Sequence, residues 1–367
     1  MKIAILVSAF PPQASGGTEI ATYNIARQLA MLGHEVHVIT TLSKGLPKES
    51  IEQGFHIHRV RLINTPILAS VSIFINALFV IRRINPDLVH VQSTILALHG
   101  FLIKAFLRKP YLVYGRGSDI YLSSRFDRLL SRLTLAKADT VIAQTNDMKD
   151  AMHKLCNRDI LVIPNGVDVD RFSNLSQKES RSKLSINGND RIILFVGGLR
   201  FVKGIRYLIE SMDVIRHEYQ NIRLLIVGDG KERQNLEHIT KKLNLTECIS
   251  FTGWIPNETI PEYMAASDIL VLPSLSEGFP NTILEAMASG LPIICAKVGG
   301  MPEIVIDGEN GYLIEPKNAM GITEKVLLLL KNDNLKQRMS ENNRQRAKRY
   351  SWEGVARNLE EVYTKVI

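Results

Sequence analysis

Cysteine is scarce in this chain. Only Cys156, Cys248 and Cys295 occur among 367 residues, and each is isolated. They supply no disulfide framework and no C-x-x-C metal pair, which points to a reducing, cytoplasmic setting. Long apolar runs are missing too. The most apolar stretch, residues 67–81, is interrupted by Ser70, Ser72 and Asn76 and closed by Arg82 and Arg83, short of a membrane span. Acidic residues are in deficit: 45 Lys and Arg against 37 Asp and Glu leave a net charge of +8. The imbalance belongs to the first 172 residues, which hold 20 basic and 13 acidic side chains, while the rest holds 25 and 24. Neither the dinucleotide fingerprint G-x-G-x-x-G nor the phosphate loop G-x-x-x-x-G-K-[ST] is present. No nucleic-acid recognition motif accompanies the charge, so nucleic acid is not an expected partner.

What is there is an ordinary globular composition, 45% hydrophobic and 22% charged, which excludes disorder and coiled coil as the main architecture. At roughly 150 residues per domain the length favours two domains. The opening imitates a secretory leader, with Lys2, the apolar residues 3–10 and the small residues Ala14, Ser15 and Gly16. The run has strand length, however, and a helical pattern follows at once, so it is expected to be the first strand.

Short apolar runs alternate with amphipathic stretches. Residues 3–9, 35–40, 88–92, 111–114, 140–144 and 160–164 read as strands, with helices over 18–32, 95–107 and 125–137. Strands that are apolar throughout imply a parallel sheet covered on both faces. The rhythm restarts at Arg191, with strands at 192–196, 223–227, 249–252, 269–273 and 292–296 and helices at 205–218, 231–243 and 281–289. Residues 165–190 are polar and weakly periodic and read as a hinge. The expected fold class is therefore α/β, with two doubly wound domains facing each other across a cleft. The expected division is an N-terminal domain of residues 1–170 and a C-terminal domain of 171–350, with a final helix over 351–367 packing back on the first. In such sheets ligands bind beyond the carboxyl ends of the strands.

Three strand-to-helix loops carry candidate chemistry. In the first, Gly16 and Gly17 let backbone approach a ligand at a helix N-terminus, although a plain turn reads the same way. The second runs from Val196 through Gly197, Gly198, Leu199, Arg200, Phe201, Val202 and Lys203 to Gly204. Arg200 and Lys203 can clamp a diphosphate by charge-assisted hydrogen bonds. Cations are disfavoured at a helix start, so two of them there suggest a function. The third spans residues 273–292. Gly278, Phe279 and Pro280 lead into Asn281 and Thr282, whose helix-end N–H groups suit a phosphate. Glu277 in that loop and Glu285 in the helix can accept hydroxyls of a sugar or ribose. Glu285 lies among apolar neighbours, where an unpaired carboxylate is costly.

The stretch from Glu277 to Glu285, E-G-F-P-N-T-I-L-E, resembles the E-x7-E motif of retaining glycosyltransferases of family 4. The similarity covers almost the whole chain. It includes Gly16-Gly17, the segment from Pro164 to Asp168 with Phe172, Lys203-Gly204, the segments 227–230 and 251–254, and Val298 to Glu303. An aromatic closing segment, Tyr350-Ser351-Trp352, follows. The resemblance implies the GT-B architecture of two Rossmann-like domains, with a nucleotide-diphosphate sugar as donor substrate, UDP-sugar before GDP-sugar. It implies hexosyl transfer to a hydroxyl with retention, needing no cofactor and no metal. By position, Glu277 would contact the donor sugar and Glu285 the ribose. Backbone around Gly278, Phe279, Pro280, Asn281 and Thr282 would hold sugar and phosphates, and Lys203 would stabilise the leaving diphosphate. Gly16 and Gly17 would close over the phosphates, Gly228 would belong to the donor site and Trp254 would lie beside the base. Asp168-Val169-Asp170, superficially a D-x-D metal motif, is assigned to the hinge.

Two positions depart from the family pattern. Gly198 stands where an Arg is usual, and Arg200 is the candidate replacement for its charge. Arg116, in the context G-R-G-S-D, stands where a His is frequent, and a permanent cation there can bind a phosphate on donor or acceptor. Catalytically dead nucleotide-sugar binding and sugar-nucleotide epimerisation are the alternative readings; phosphorolysis would need a far longer chain. The basic residues Arg82, Arg83, Lys104, Arg108, Lys109, Arg125, Arg128 and Arg132 lie on or beside predicted helices with Leu, Ile and Phe between them. They are expected to attract anionic lipid, giving peripheral association with the inner face of a membrane and a lipid-linked or glycan acceptor.

Overall fold

The computed structural model describes residues 1–14, 16–62, 66–121 and 125–367. Ser15 of the first loop and the side chain of Arg125 lie outside the described residues. The chain divides into two compact units. One comprises residues 1–166 with 352–367, and the other comprises 167–351. The division thus falls after Gly166, four residues short of the expected 170.

The first unit holds eight strands: β1 (Lys2–Leu6), β2 (Glu35–Thr41), β3 (Glu49–Glu52), β4 (Phe55–Val60), β5 (Leu88–Val91), β6 (Tyr111–Tyr114), β7 (Thr140–Ala143) and β8 (Leu161–Val162). Their order is β3-β4-β2-β1-β5-β6-β7-β8. All neighbours are parallel except the β3–β4 hairpin. That hairpin was not expected. Its second strand carries His56, Arg59 and His58 among apolar residues, which hides the run, yet His58 is buried and hydrogen-bonds the buried His37 of β2 at 3.0 Å. The apolar segment near residue 70 is the helix Pro66–Ile84. Among the described residues, no helix is long and apolar enough to cross a membrane. The C-terminal helix Trp352–Val366 adds Trp352, Leu359 and Tyr363 to a core shared with Ile3, Ile5 and Ile25.

The second unit contains β9 (Arg191–Val196), β10 (Ile222–Val227), β11 (Ile249–Gly253), β12 (Ile269–Leu272), β13 (Ile293–Ala296) and β14 (Gly311–Ile314). All are parallel, in the order β11-β10-β9-β12-β13-β14. This is the doubly wound order in which connections leave β9 in one direction and β12 in the other, creating a switch point between them. Strands β12 and β13 are buried along their whole length, as strands covered on both faces must be. The helix Ile205–Glu218 buries Ile205, Leu208, Ile209, Met212 and Ile215, one stripe at helical spacing.

Residues 165–190, read as a hinge, do contain the division between the two units, but they carry regular structure as well. Asp168 caps the helix Val169–Ser173 by accepting from the Arg171 N–H at 3.2 Å, and Ser176 caps Gln177–Lys183. Capping residues are polar by necessity, so a capped pair of short helices imitates a linker in sequence. Phe172 is buried in the second core, and Arg181 pairs with Asp268 at 2.9 Å with little exposure of either. Strand β14 and the helices Ala319–Lys331 and Asp333–Ala347 complete this unit beyond the expected elements.

Candidate functional site

In the second unit the loops leaving β9, β10, β12 and β13 emerge on the carboxyl side of the sheet and are tied to one another by backbone. The Leu199 N–H donates to the Asp229 carbonyl at 2.9 Å, and the Glu232 N–H donates to Leu199 at 3.0 Å. The Leu275 N–H donates to Val202 at 2.7 Å, and Gly300 donates to Gly278 at 3.2 Å. Two glycines make these approaches possible. Gly204 has φ of +63°, and a Cβ there would sit 2.1 Å from the Pro273 carbonyl oxygen. Gly299 has φ of +52°, and its Cβ would sit 1.9 Å from the carbonyl oxygen of Glu277. Neither position tolerates a side chain without displacing backbone.

Across the switch point, Lys203 from the β9 loop forms an ion pair with Glu277 from the β12 loop, each side chain being 13% exposed. The structure thus brings together the two residues most central to the expected chemistry, although they lie 74 positions apart. Phe279 is buried against Tyr350, with ring centroids 6.3 Å apart, and anchors the turn into the helix Asn281–Ser289. Pro280 is the N-cap and makes no side-chain cap bond. Asn281 and Thr282 begin this helix half-buried. A helix start without a side-chain cap carries partial positive charge, which suits an anion.

Glu285 lies in the second turn of the same helix. Burial pushes its carboxyl up to about 7, and the Arg171 charge pulls the other way. Among the described residues no group hydrogen-bonds it, which fits a carboxylate awaiting hydroxyls from a ligand. A raised acid is protonated in the folded chain at pH values where it is ionised in the unfolded one. Its contribution to stability therefore falls as pH rises from about 4.5 to about 7 and is level above that. A ligand hydroxyl favours the ionised form, so affinity for a ligand held at Glu285 through its hydroxyls is expected to rise through pH 6–8 with a midpoint near 7. Calorimetric titration of the wild type and of Glu285→Gln checks this; a pH-independent affinity in the wild type contradicts it.

The remaining expected residues are less engaged. Gly198 is exposed, and a Cβ there would meet nothing closer than 3.9 Å, so space for the usual Arg remains. Its nearest side-chain neighbour is Nε of Arg200, at 4.0 Å from that Cβ. Arg200 is exposed, and among the described residues it makes no ion pair. Gly228 donates its N–H to Gly253 at 3.0 Å at the mouth of β10, and Trp254 follows with 65% of its surface exposed.

In the first unit, Gly16 is the N-cap and Gly17 the first residue of the helix Gly17–Met31. Arg116 follows β6 and is half-buried. Its Nε donates to Oε1 of Gln92 at 2.8 Å, and a second guanidinium nitrogen also reaches that oxygen. Another donates to Oδ1 of Asn165 at 2.8 Å, and the group lies 3.9 Å above the Tyr114 ring. Burial holds the guanidinium below its usual range. Sequence reasoning found Arg116 and placed Asn165 within the family-like segment 164–168, but it missed Gln92 and Gln144, which donates to Asn165 at 2.8 Å. Each follows a strand end, and that position was the available signal.

Of the eight basic residues, Lys104 pairs with Asp139 at 2.6 Å and Arg83 pairs with Glu49, so these two serve the fold. Arg82, Arg108, Arg128 and Arg132 are exposed, and Lys109 is half-buried. Around them stand exposed apolar side chains at helical spacing: Val71, Ile75 and Phe79 on Pro66–Ile84, Leu129 and Leu133 on Arg125–Lys137, and Phe106 between. Phe74 and Phe106, 6.1 Å apart, join the first helix to Ala97–Leu107.

Comparison with known proteins places the chain as a whole. The family model described as Glycosyl transferases group 1 matches residues 176–346, and the one described as Glycosyltransferase Family 4 matches 15–171. An uncharacterized glycosyltransferase of Methanocaldococcus jannaschii is 30% identical, over 99% of this chain and 98% of its own. The sucrose-phosphate synthase of Thermosynechococcus elongatus has the same fold, with a TM-score of 0.90 at 21% identity over 99% of this chain and 98% of its own. HepE of Anabaena, solved in complex with UDP-glucose, has a TM-score of 0.85 at 20% identity, with both chains fully covered.

Proposed function

Because the chain belongs to the family 4, group 1 glycosyltransferases, with the GT-B fold of two Rossmann-like domains, we propose that it transfers a hexose from a nucleotide-diphosphate sugar to an acceptor hydroxyl with retention of configuration and without a metal. UDP-sugar is the first donor to test, GDP-sugar the second; the UDP-glucose bound by HepE supports that order. The observation that carries the reading is the Lys203–Glu277 pair at the switch point of the second unit. In the reaction the bond from the anomeric carbon to the diphosphate oxygen breaks and the bond to the acceptor oxygen forms on the same face. The acceptor proton passes to the leaving phosphate.

Lys203 neutralises the charge growing on the diphosphate, together with N–H groups at the start of Asn281–Ser289. Preorganised charge of this kind is often the largest catalytic term. Glu277, held by Lys203, accepts hydroxyls of the donor sugar, and Glu285 accepts those of the ribose. Gly228 and Trp254 border the nucleotide with their backbone, and Arg200 supplies the cation absent at Gly198. In the first unit, Gly16, the N-cap of Gly17–Met31, lets backbone approach an anionic part of the substrate together with Gly17. Asp168 caps its helix and is assigned no metal. Incubation with UDP- and GDP-sugars, with nucleotide release and anomeric configuration followed by NMR, tests the reading. Tight binding without release, or release of an epimerised sugar nucleotide, overturns it.

The acceptor reading is lipid-linked glycan at the inner face of a membrane. It is supported by the exposed Phe79, Leu129, Leu133 and Phe106 interleaved with Arg82, Arg108, Arg128 and Arg132. Each such charge is worth roughly 1 kcal/mol near an anionic surface. Flotation with phosphatidylglycerol vesicles at low salt is expected to recover the protein, and phosphatidylcholine vesicles are not. Replacing Phe79, Leu129 and Leu133 together by Ser is expected to lower the bound fraction at least tenfold. Absence of binding to the anionic vesicles contradicts the membrane reading.

A further inference from the structure

We propose that Arg116 and Gln92 of the first unit form a binding site for one carboxylate or phosphate group, so that one of the two molecules joined by this enzyme carries an anion there. The proposal rests on the glycosyltransferase reading only in naming the ligand a substrate.

The first ground is an unmet demand for charge. A guanidinium has five N–H donors. At Arg116 three of its contacts run to the neutral amide oxygens of Gln92 and Asn165, and the Tyr114 ring covers one face. That leaves two donors. Among the described residues no carboxylate forms an ion pair with Arg116. The nearest acid in sequence, Asp119, is committed elsewhere. Its carboxylate accepts from the backbone N–H of Thr94 at 2.7 Å and from that of Arg116 itself at 3.0 Å. Asp119 and Glu19 favour the guanidinium charge without pairing directly with it, so its side-chain hydrogen bonds run to neutral acceptors alone and a direct anionic partner is still missing.

The second ground is independent of the charge. Gln92 is 1% exposed, and its Nε2 donor has no partner. The other end of the same amide grips the guanidinium, so an orphan donor stands within one side chain of an unpaired cation. Buried polar groups in native structures are nearly always satisfied, so an orphan donor beside a cation is open to a ligand. The third ground is position. In the first sheet the switch point lies between β1 and β5, and Gln92 and Arg116 are the residues just past β5 and β6. The fork of two remaining N–H groups matches the two oxygens of a carboxylate or phosphate.

The test uses the full chain and inorganic phosphate as the probe, read by thermal shift at pH 8 and constant ionic strength. The wild type and Lys203→Ala are expected to show a saturable rise in Tm, because Lys203→Ala removes the competing phosphate contact of the other unit. Arg116→Met is expected to bind phosphate about 10- to 100-fold more weakly, the loss expected for a charge-assisted contact. Arg116→His serves as the second variant. It fits a frequent family pattern, is neutral at pH 8, and guards against loss of fold. Full UDP binding in the variants shows that the nucleotide site survives.

A phosphate response that is absent from the wild type, persists in both Arg116 variants, or vanishes in Lys203→Ala overturns the proposal. UDP-glucuronate and UDP-glucose then separate the sources of the anion. Stronger stabilisation by the uronate, lost in Arg116→His, assigns the anion to the donor. Equal stabilisation by the two, with the phosphate response retained under saturating UDP, assigns it to the acceptor. Failure of sugar transfer with an intact Arg116-dependent phosphate response counts against the glycosyltransferase reading alone.

Discussion

Lys203→Ala is expected to lower kcat about a hundredfold, the scale of losing one preorganised charge that acts on the leaving group. The ammonium is fixed from both sides. Lys203 closes a short 3-10 turn, Phe201–Lys203, and the glycine after it presses against the Pro273 carbonyl. On its other side stands Glu277, with both side chains 13% exposed. Lys203 is therefore paired before any ligand binds, and in the proposed reaction the departing diphosphate would add a second anion to the same cation. An interaction that strengthens as charge develops lowers the barrier and leaves ground-state binding less changed. The expected signature is a large fall in kcat with a smaller change in KM. Glu277→Gln should lower the rate as well, and the double variant should fall short of the sum of the two, because the residues share one interaction. Unchanged turnover in Lys203→Ala removes Lys203 from the mechanism.

How much of this was legible in sequence depends on what each residue answers to. The inner strands of the second unit announce themselves because they are apolar on both faces, and residues 269–272 and 293–296 need no context to be read. The three loops were legible because a strand end followed by glycine and then a helix is a local pattern. The β3–β4 hairpin was not, since its buried histidines satisfy one another across strands, His37 with His58, and only the fold brings them together. The capped helices at 169–173 and 177–183 were lost for a related reason: their caps are the polar residues that mark linkers.

In the site itself, Lys203 and Glu277 were named separately, but their pairing is a fact of sheet order and not of spacing. The state of Glu285 depends on burial and on Arg171, which contributes from a neighbouring helix and has no motif of its own. The basic excess was visible as a count, yet the structure divides it. Lys104 and Arg83 are paired at the surface, and Arg116 is partly buried, so fewer charges stand unpaired than the sequence suggests.

Gly299→Ala is expected to cost about a hundredfold in kcat/KM although residue 299 carries no functional group. Its φ of +52° already disfavours any side chain, and the new Cβ would lie 1.9 Å from the carbonyl oxygen of Glu277. Atoms at that distance must separate by more than 1 Å. The obstacle is backbone on both sides, so no flexible side chain can absorb the shift. The β13 loop cannot retreat freely, because Gly300 donates to Gly278 and Met301 donates to Val298. The displacement therefore falls on residues 277–278, which carry the Glu277 carboxylate and begin the turn into the helix Asn281–Ser289. A misplacement of about 1 Å at a reacting group is enough for a hundredfold loss.

Stability should fall too, by about 2 kcal/mol, lowering Tm by roughly 4–8 °C for a unit of this size. Steady-state kinetics below the lowered Tm separate the two effects. A Gly204→Ala variant, with the analogous overlap on the Pro273 carbonyl at 2.1 Å, should behave alike by displacing Lys203 from the other side of the pair. A folded Gly299→Ala variant with wild-type kcat/KM would mean that the position of the Glu277 backbone does not govern transfer.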